Sequence, residues 1–166
     1  THCRIVDLEI GQRDLTVGEA GELLVHGPQI MRGYWRNQQE TQAVLKDGWL
    51  HTGDIVRRDS QGFFFLVARK KDMIKSRGEN VYPREVEEVL LRHEAIQDTV
   101  IVGIPHQKLG EAVKAYVVLK EGRSVTQEAL LSYCRNSLAL FKVPTAVEFR
   151  SELPRNIVGK VLRRQL

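Results

Sequence analysis

Short apolar segments separated by turn-forming residues run through the first 67 residues of the chain and predict β-strands. Residues 4–10 follow a broadly extended pattern, and residues 21–27 hold an apolar run between glycines. Residues 55–56 and 63–67 flank an Asp-Ser-Gln-Gly segment, which predicts a β-hairpin with a four-residue loop. The second of these strands belongs to an apolar run, residues 63–68, whose length is that of a buried strand.

Helix signals occur in three places. Asn37 is suited to cap a short helix over residues 37–45. Pro83 is suited to the first turn of a second helix, and Ser124 with Gln127 forms the capping-box pattern of a third. The apolar spacing of the last two helices predicts their buried residues, which are Val86, Val89 and Leu90, then Leu130, Leu131, Cys134 and Leu138.

A polar, basic and glycine-containing segment, residues 68–82, separates two kinds of pattern and predicts a domain boundary at its start. After it, apolar and β-branched runs predict strands at residues 99–104, 115–119 and 146–149, and a final helix is expected to begin within residues 161–166. This order of elements predicts an α+β fold, in which a small β-rich part precedes a compact α+β domain.

The bulk composition narrows the class of protein. With 42% hydrophobic and 28% charged residues, the 166-residue chain has the composition of a globular protein. No apolar run approaches the roughly 20 residues needed to cross a bilayer. The chain begins at Thr1 without an initiator Met or a signal-peptide pattern, so we expect it to come from within a longer protein. Cys3 and Cys134 lie in no ligand or redox pattern and are interpreted as free thiols, which suits a cytoplasmic protein.

The formal charge of +4 leaves two interpretations open, a mixed solvated surface or a few Lys and Arg side chains placed for phosphates. The five histidines are scattered without metal-ligand spacing, so no metal site in the protein is expected. No G-x-S-x-G or Cys/His pattern indicates a hydrolase.

Three polar segments could carry chemistry. Asp54 ends residues 49–54 and could accept hydrogen bonds from vicinal hydroxyls, although the residues alone favour an Asp that caps a turn. Residues 69–80 hold five basic side chains beside Gly78 and could face an anion or form a solvated loop. Lys160 ends a Pro/Asn/Gly loop and could bring a positive charge to a carboxylate or phosphate. That loop lacks the G-x-x-x-x-G-K-[ST] pattern, so Lys160 alone is weak evidence.

The order and spacing of these segments resemble the adenylate-forming superfamily, which includes acyl-CoA ligases, luciferases and the adenylation domains of peptide synthetases. The resemblance runs from about Gly21 to the end of the chain. It rests on Gly21-Glu22-Leu23, Gly33-Tyr34-Trp35, residues 47–54 (DGWLHTGD), residues 69–75 (RKKDMIK), residues 78–87 (GENVYPREVE) and residues 154–160 (PRNIVGK). His51 departs from the Tyr, Phe or Arg that many relatives carry, and Ala68 replaces their Gly or Asp.

The resemblance implies a division of the chain and a role for each matching residue. Residues 1–67 would be the barrel-like, β-rich end of a large N-terminal adenylation domain, residues 68–72 a hinge with Lys71 as its pivot, and residues 73–166 a mobile lid domain. Asp54 would bind the ribose hydroxyls of ATP, and Arg69 the ribose or phosphates. Lys160 would reach the acyl carboxylate and the α-phosphate, and Gly78 would lie on the loop that lines the pantetheine tunnel. Lys75 and Asn80 would lie near the active site.

The implied reaction is activation of a carboxylic acid with ATP, whose Mg²⁺ is bound through the nucleotide, followed by transfer of the acyl group to CoA. Because the attacking carboxylate and the α-phosphate are both anionic, Lys160 would offset their repulsion in the first half-reaction. The same lysine would obstruct attack by the CoA thiol, so rotation would present the Gly78 loop instead. Residues 70–74 and 78–83 are most similar to those of fatty acyl-CoA ligases.

Alternatives remain at this point. The activated acid could be aryl, short-chain or an amino acid, or the chain could be a non-catalytic basic module for nucleic acid or anionic lipid. The second alternative lacks an aromatic stacking platform and a recognition helix, so no nucleic-acid partner is expected. The family's phosphate loop would lie upstream of Thr1, so the chain alone is expected to be inactive. Peripheral membrane association and oligomeric state are left open.

Overall fold

The computed structural model describes all 166 residues and divides them into two compact units, Thr1–Lys71 and Asp72–Leu166. Each unit contains a five-stranded sheet. The predicted α+β class is confirmed, since strands and three α-helices make up the chain without a parallel βαβ array. None of these helices combines the length and apolar character needed to cross a membrane. The hinge predicted over residues 68–72 concerns motion and stays a prediction.

Five strands and one short helix make up the first unit. They are β1 (His2–Val6), β2 (Ala20–His26), α1 (Gln38–Val44), β3 (Leu45–Lys46), β4 (Trp49–Arg58) and β5 (Phe64–Arg69). The strands form one antiparallel sheet in the order β1-β2-β4-β3, and β5 also pairs with β4. Asn37 caps α1 as predicted, because its side-chain oxygen accepts a hydrogen bond from the Glu40 N–H at 3.0 Å.

Strand β4 organises this sheet because it pairs along both edges. Strand β2 lies along one edge, while β3 and β5 share the other, at the start and the end of β4. The pairing is interrupted where Glu22 faces Ile55 but Leu24 faces His51, so three residues of β4 lie opposite one of β2. This bulge bends β4 at Gly53, whose φ of 69° is in the left-handed region that favours glycine.

Two predictions for the first unit are wrong in detail. Strand β1 ends at Val6, because the Asp7 carboxylate accepts hydrogen bonds from five successive backbone N–H groups, at residues 9–13, and folds them into a turn. The β4–β5 hairpin is confirmed, but residues 63–66 are not buried. Their exposed fractions are 63%, 42%, 46% and 52%. Apolar composition predicts a strand here but does not say whether another element covers it.

The second unit contains β6 (Ile74–Ser76), β7 (Glu79–Val81), α2 (Pro83–Leu91), β8 (Ile96–His106), β9 (Gly110–Leu119), α3 (Gln127–Arg135) and β10 (Ala146–Phe149). Its sheet has the order β10-β9-β6-β7, and β8 pairs with β9 along nearly the whole length of both strands. All pairs are antiparallel except β10 with β9. The three strands predicted after residue 82 are therefore confirmed.

Helices α2 and α3 pack on this sheet through the apolar faces that their spacing predicts. Val86, Val89 and Leu90 of α2 are buried, as are Leu130 and Cys134 of α3. All of these except Val89 join one core cluster with apolar residues of β6 to β9, and Leu131 and Leu138 pack at its border. Removal of these side chains from water is the main stabilising contribution to the unit.

Three local predictions for the second unit need correction. Helix α3 is capped by Thr126, whose hydroxyl accepts from the Ala129 N–H, so the predicted Ser124 capping box is wrong. The polar segment before α2, for which a solvated loop was one of two interpretations, forms the β6–β7 hairpin, in which Arg77 and Gly78 both have positive φ. The final α-helix predicted within residues 161–166 is a single 3₁₀ turn, Arg163–Gln165.

Candidate functional site

Asp54 and Arg69 lie opposite each other on β4 and β5 of the first unit. The Arg69 Nε atom is 2.8 Å from Asp54 Oδ1, so the two side chains form an ion pair. Asp54 Oδ1 is nevertheless a buried oxygen without a hydrogen-bond partner, because the guanidinium does not approach it with hydrogen-bond geometry. The Arg69 cation therefore offsets part of the cost of burying this oxygen, although no well-aligned donor reaches it.

The backbone at Asp54 is held by Thr52. The Thr52 hydroxyl donates to the Leu23 carbonyl oxygen at 2.8 Å and accepts from the Asp54 N–H at 3.1 Å. Both hydrogen bonds lie at the bulge between β2 and β4, where regular strand pairing is interrupted. Thr52 therefore replaces the missing ladder contacts and fixes the position from which the Asp54 carboxylate projects.

A second charged cluster in the first unit was missed by the sequence reasoning. Glu22 is buried at 3% exposure, and its Oε2 atom accepts from Lys70 Nζ at 2.7 Å and lies 3.4 Å from His51 Nδ1. Burial acts to raise the pKa of Glu22, but the Lys70 ammonium and His51 outweigh it and hold the pKa below its ordinary value. The sequence signal for this cluster was an acidic residue inside the apolar run of residues 21–27. His51 and Lys70 lie far away in the sequence, and no pattern linked them to Glu22.

Lys71 follows this cluster directly. It lies in the 3₁₀ turn Lys70–Asp72 and is the last residue of the first unit, so the chain leaves that unit immediately after the ion pair of Lys70 with Glu22. The Lys71 side chain forms no ion pair and no hydrogen bond.

Lys75, Gly78 and Asn80 come together on the β6–β7 hairpin of the second unit. Lys75 and Asn80 are directly paired across the two strands, so their side chains project from the same face. Gly78 is at the turn with a φ of 81°, and a Cβ atom there would meet nothing within 4 Å. The glycine is therefore required by backbone conformation, and the space beside it is open.

Lys160 lies on a separate loop of the same unit. The loop is closed by a bridge between Arg155 and Val161, and Asn156 Oδ1 accepts from the Lys160 N–H at 2.8 Å. The Lys160 ammonium is exposed and forms no ion pair or hydrogen bond. The structure thus groups the predicted site residues into three sets: Asp54 with Arg69, then Lys75 with Gly78 and Asn80, and Lys160 alone.

Comparison with known proteins identifies the family. Residues 85–160 match the model of the AMP-binding enzyme C-terminal domain. The chain is 55% identical over 148 residues to a long-chain-fatty-acid–CoA ligase of Bacillus subtilis, and 49% identical over 166 residues to one of Salmonella typhimurium. The chain belongs to the adenylate-forming superfamily.

The matches cover most of this chain but a small part of the relatives. They span 89% and 100% of the chain, and 26% and 29% of the Bacillus and Salmonella ligases. ATP-bound MatB from Rhodopseudomonas palustris is 34% identical and superposes with a TM-score of 0.92 over 99% of this chain and 33% of its own. Apo MatB superposes over the same shares with a TM-score of 0.68. The matched segment of MatB therefore differs between its ATP-bound and apo structures.

Proposed function

We propose that this chain is the C-terminal part of an AMP-forming ligase that activates a fatty acid as acyl-adenylate and transfers the acyl group to CoA. One observation carries the proposal: all 166 residues align at 49% identity with a protein named as a long-chain-fatty-acid–CoA ligase. The substrates are then a fatty acid, CoA and ATP, with Mg²⁺ bound through the nucleotide. The chain spans less than a third of that relative's length, so the rest of the catalytic machinery would come from a longer protein.

In this proposal Asp54 and Arg69 bind the nucleotide. Asp54, whose side chain is 24% exposed and pairs with Arg69, is suited to accept a hydrogen bond from a ribose hydroxyl through its carboxylate. Arg69, whose side chain is 52% exposed, is free to contact the ribose or a phosphate while it remains beside Asp54. The Thr52 contacts support this role because they hold the carboxylate on a rigid strand.

Lys160 acts in the first half-reaction. Its exposed ammonium has no acidic partner in the second unit, so its charge is available to the acyl carboxylate and the α-phosphate. A fixed cation at that position stabilises the charge that develops when the carboxylate attacks phosphorus. The loop of Lys160 is closed on itself, so the lysine is presented without prior ordering of the backbone.

The second half-reaction uses the β6–β7 hairpin after rotation about Lys71. The open space at Gly78 suits the close approach of a pantetheine chain, and Lys75 with Asn80 supplies polar groups on one face of the same hairpin. The difference between ATP-bound and apo MatB supports rotation, because the matched segment changes within one protein. Lys71 is suited to the pivot since it lies at the boundary between the two units.

A chimera tests the proposal. The segment of the Salmonella ligase that matches this chain is replaced by residues 1–166, and fatty-acid-dependent release of AMP is measured with ATP and CoA. We expect acyl-CoA formation by the chimera and none by the ligase lacking that segment or by the isolated chain. A chimera that folds with the thermal stability of the parent but forms no acyl-CoA would contradict the proposal.

The acid class needs the longer protein that carries this chain, because the matched segment covers only 29% of the Salmonella relative. Fatty, short-chain, aryl and amino acids are compared for acid-dependent AMP release. The proposal predicts the highest kcat/KM for a fatty acid, and a preference for any other class would restrict the assignment to acid activation in general.

A further inference from the structure

Several hydrogen bonds and one ion pair hold the loop that carries Lys160. Asn156 Oδ1 accepts from the N–H groups of Val158, at 3.1 Å, and Lys160, at 2.8 Å. The Asn156 N–H in turn donates to the Lys160 carbonyl oxygen at 2.9 Å. One asparagine therefore fixes the backbone of Lys160 on both sides of its Cα atom.

Arg155 holds the opposite side of the loop. Its Nη1 donates to the Gly159 carbonyl oxygen at 2.5 Å, and its Nη2 forms an ion pair with the Asp98 carboxylate. Asp98 lies on β8, and its other oxygen accepts from the Thr99 N–H at 2.9 Å, which fixes the carboxylate relative to the strand. Arg155 thus connects Gly159, the residue before Lys160, to the sheet of the second unit through Asp98.

Polar contacts are what hold this loop at its tip. At the base, Leu153 is buried and Val161 packs against the same apolar cluster. At the tip, Ile157 and Val158 are fully or mostly exposed, with relative accessibilities of 105% and 79%, so no apolar packing restrains it. Apolar contacts therefore anchor the ends of the loop, and Arg155 and Asn156 order the part that contains Lys160.

We propose that Arg155, held by Asp98, together with Asn156 forms a clamp that positions Lys160 for acyl-adenylate formation. The inference rests on the proposed role of Lys160. Because the Lys160 ammonium has no partner of its own, its place in the reaction depends on where its backbone is held. A displacement of about 1 Å in a reacting group can lower a rate about 100-fold. Arg155, Asp98 and Asn156 are positioning residues, since none of them needs to contact the substrates.

The test uses the chimera and separates the two half-reactions. Arg155→Met removes the donors and retains the aliphatic stem. We expect the rate of fatty-acid-dependent ATP–pyrophosphate exchange at saturating ATP to fall about 10- to 100-fold, with the KM for ATP changed less than about 2-fold. Acyl-CoA formation from preformed acyl-adenylate should stay within about 2-fold of the unsubstituted chimera, because Lys160 does not serve that step.

Controls distinguish positioning from general stability. Arg164→Met removes an exposed arginine of the same terminal segment that forms no ion pair, and both half-reactions should be unchanged. Asp98→Asn keeps the oxygen that accepts from Thr99 and should slow exchange in the same direction as Arg155→Met. The variant with both changes should be no slower than Arg155→Met alone, because both act through one contact.

Lys160→Ala supplies the reference that separates the clamp from the proposed function. Arg155→Met added to Lys160→Ala should cause no further loss of exchange, whereas damage to the fold would lower exchange and thioester formation together. If Lys160→Ala leaves exchange intact, the proposed function fails. If Lys160→Ala abolishes exchange while Arg155→Met leaves it unchanged, the clamp alone is overturned.

A variant that keeps the charge covers the case in which Arg155→Met does not fold. Arg155→Lys can pair with Asp98 but lacks the fork that also reaches the Gly159 carbonyl oxygen. We expect the rate of ATP–pyrophosphate exchange to lie between those of the unsubstituted chimera and Arg155→Met. Amide hydrogen exchange at residues 156–160 should be faster than in the unsubstituted chimera. If the rate of ATP–pyrophosphate exchange and the amide hydrogen exchange at residues 156–160 are both unchanged, the clamp is overturned.

Discussion

Lys70→Met should destabilise the first unit because it leaves the Glu22 carboxylate buried without its cation. The Glu22 side chain is 4% exposed and Lys70 is 41% exposed, so one partner is desolvated and the other is partly in water. Loss of one partner from a fully buried pair costs about 3–5 kcal/mol, and exposed pairs contribute about 0–1 kcal/mol. For this half-exposed pair we expect a loss of about 1–3 kcal/mol in the free energy of unfolding at pH 7.

The stability difference between the unsubstituted chain and Lys70→Met should depend on pH in a definite direction. In the unsubstituted chain the pKa of Glu22 is lowered from 4.5, so its stabilising contribution is present above that value and is lost as pH falls through the folded-state pKa. Without Lys70, only His51 offsets the burial of Glu22, so the ionised carboxylate is less favourable in the folded state at neutral pH. The difference between the two proteins should therefore shrink as pH falls below about 4.5.

Urea unfolding followed by tryptophan fluorescence measures this effect, since both tryptophans, Trp35 and Trp49, lie in the first unit. Glu22→Gln/Lys70→Met should be more stable than Lys70→Met alone, because a neutral amide is less costly to bury than an unpaired carboxylate. Lys46→Met is the matched control, because Lys46 is exposed and unpaired, and should change stability by less than about 0.5 kcal/mol. Equal stability of Lys70→Met and Lys46→Met at pH 7 would refute the reasoning.

Three further predictions concern single residues. Thr126→Ala should cost about 1 kcal/mol in thermal or urea unfolding because it removes the N-cap of α3, while Ser124→Ala should cost almost nothing; the reverse order would contradict the cap assignment. Burial raises the pKa of Cys134 to about 11, so its thiol should resist a disulfide reagent at pH 8 until unfolding, whereas the exposed Cys3 should react at once; equal rates would contradict the packing of α3. Lys71→Pro in the chimera should slow thioester formation more than pyrophosphate exchange because it fixes φ at the proposed pivot, and unchanged thioester formation would refute that role.

Local patterns predicted much of the fold because they depend on residues close in sequence. The spacing of Val86, Val89 and Leu90 follows the period of a helix, and each of these side chains is buried. Pro83 begins α2 as its fixed φ and missing N–H favour. Asn37 caps α1 for an equally local reason, since its side chain reaches an N–H three residues away.

Features that depend on distant residues could not be predicted in the same way. The cluster of Glu22, His51 and Lys70 joins three separate strand and turn segments, and no spacing in the sequence indicates it. The exposure of Phe63 and its neighbours depends on what covers a strand, which composition does not state. The β6–β7 hairpin was missed because its strands are three residues long and mostly polar, and the positive φ of Arg77 in its turn is rare for a non-glycine residue.

The candidate site shows the same division. The motifs singled out Asp54 and Arg69 separately, and the structure pairs their side chains; their roles stay predictions. The contacts that hold these residues were not predicted, because Thr52, Asn156 and Arg155 act through geometry that only the folded chain shows.

The central claim is that Lys160 serves acid activation and not thioester formation, and Lys160→Ala in the chimera tests it most directly. We expect fatty-acid-dependent ATP–pyrophosphate exchange to fall about 100- to 1,000-fold, as when one fixed charge-stabilising group is removed from an active site. Acyl-CoA formation from preformed acyl-adenylate and CoA should remain within about 2-fold of the unsubstituted chimera. An equal loss in both half-reactions, or no loss in exchange, would contradict the account.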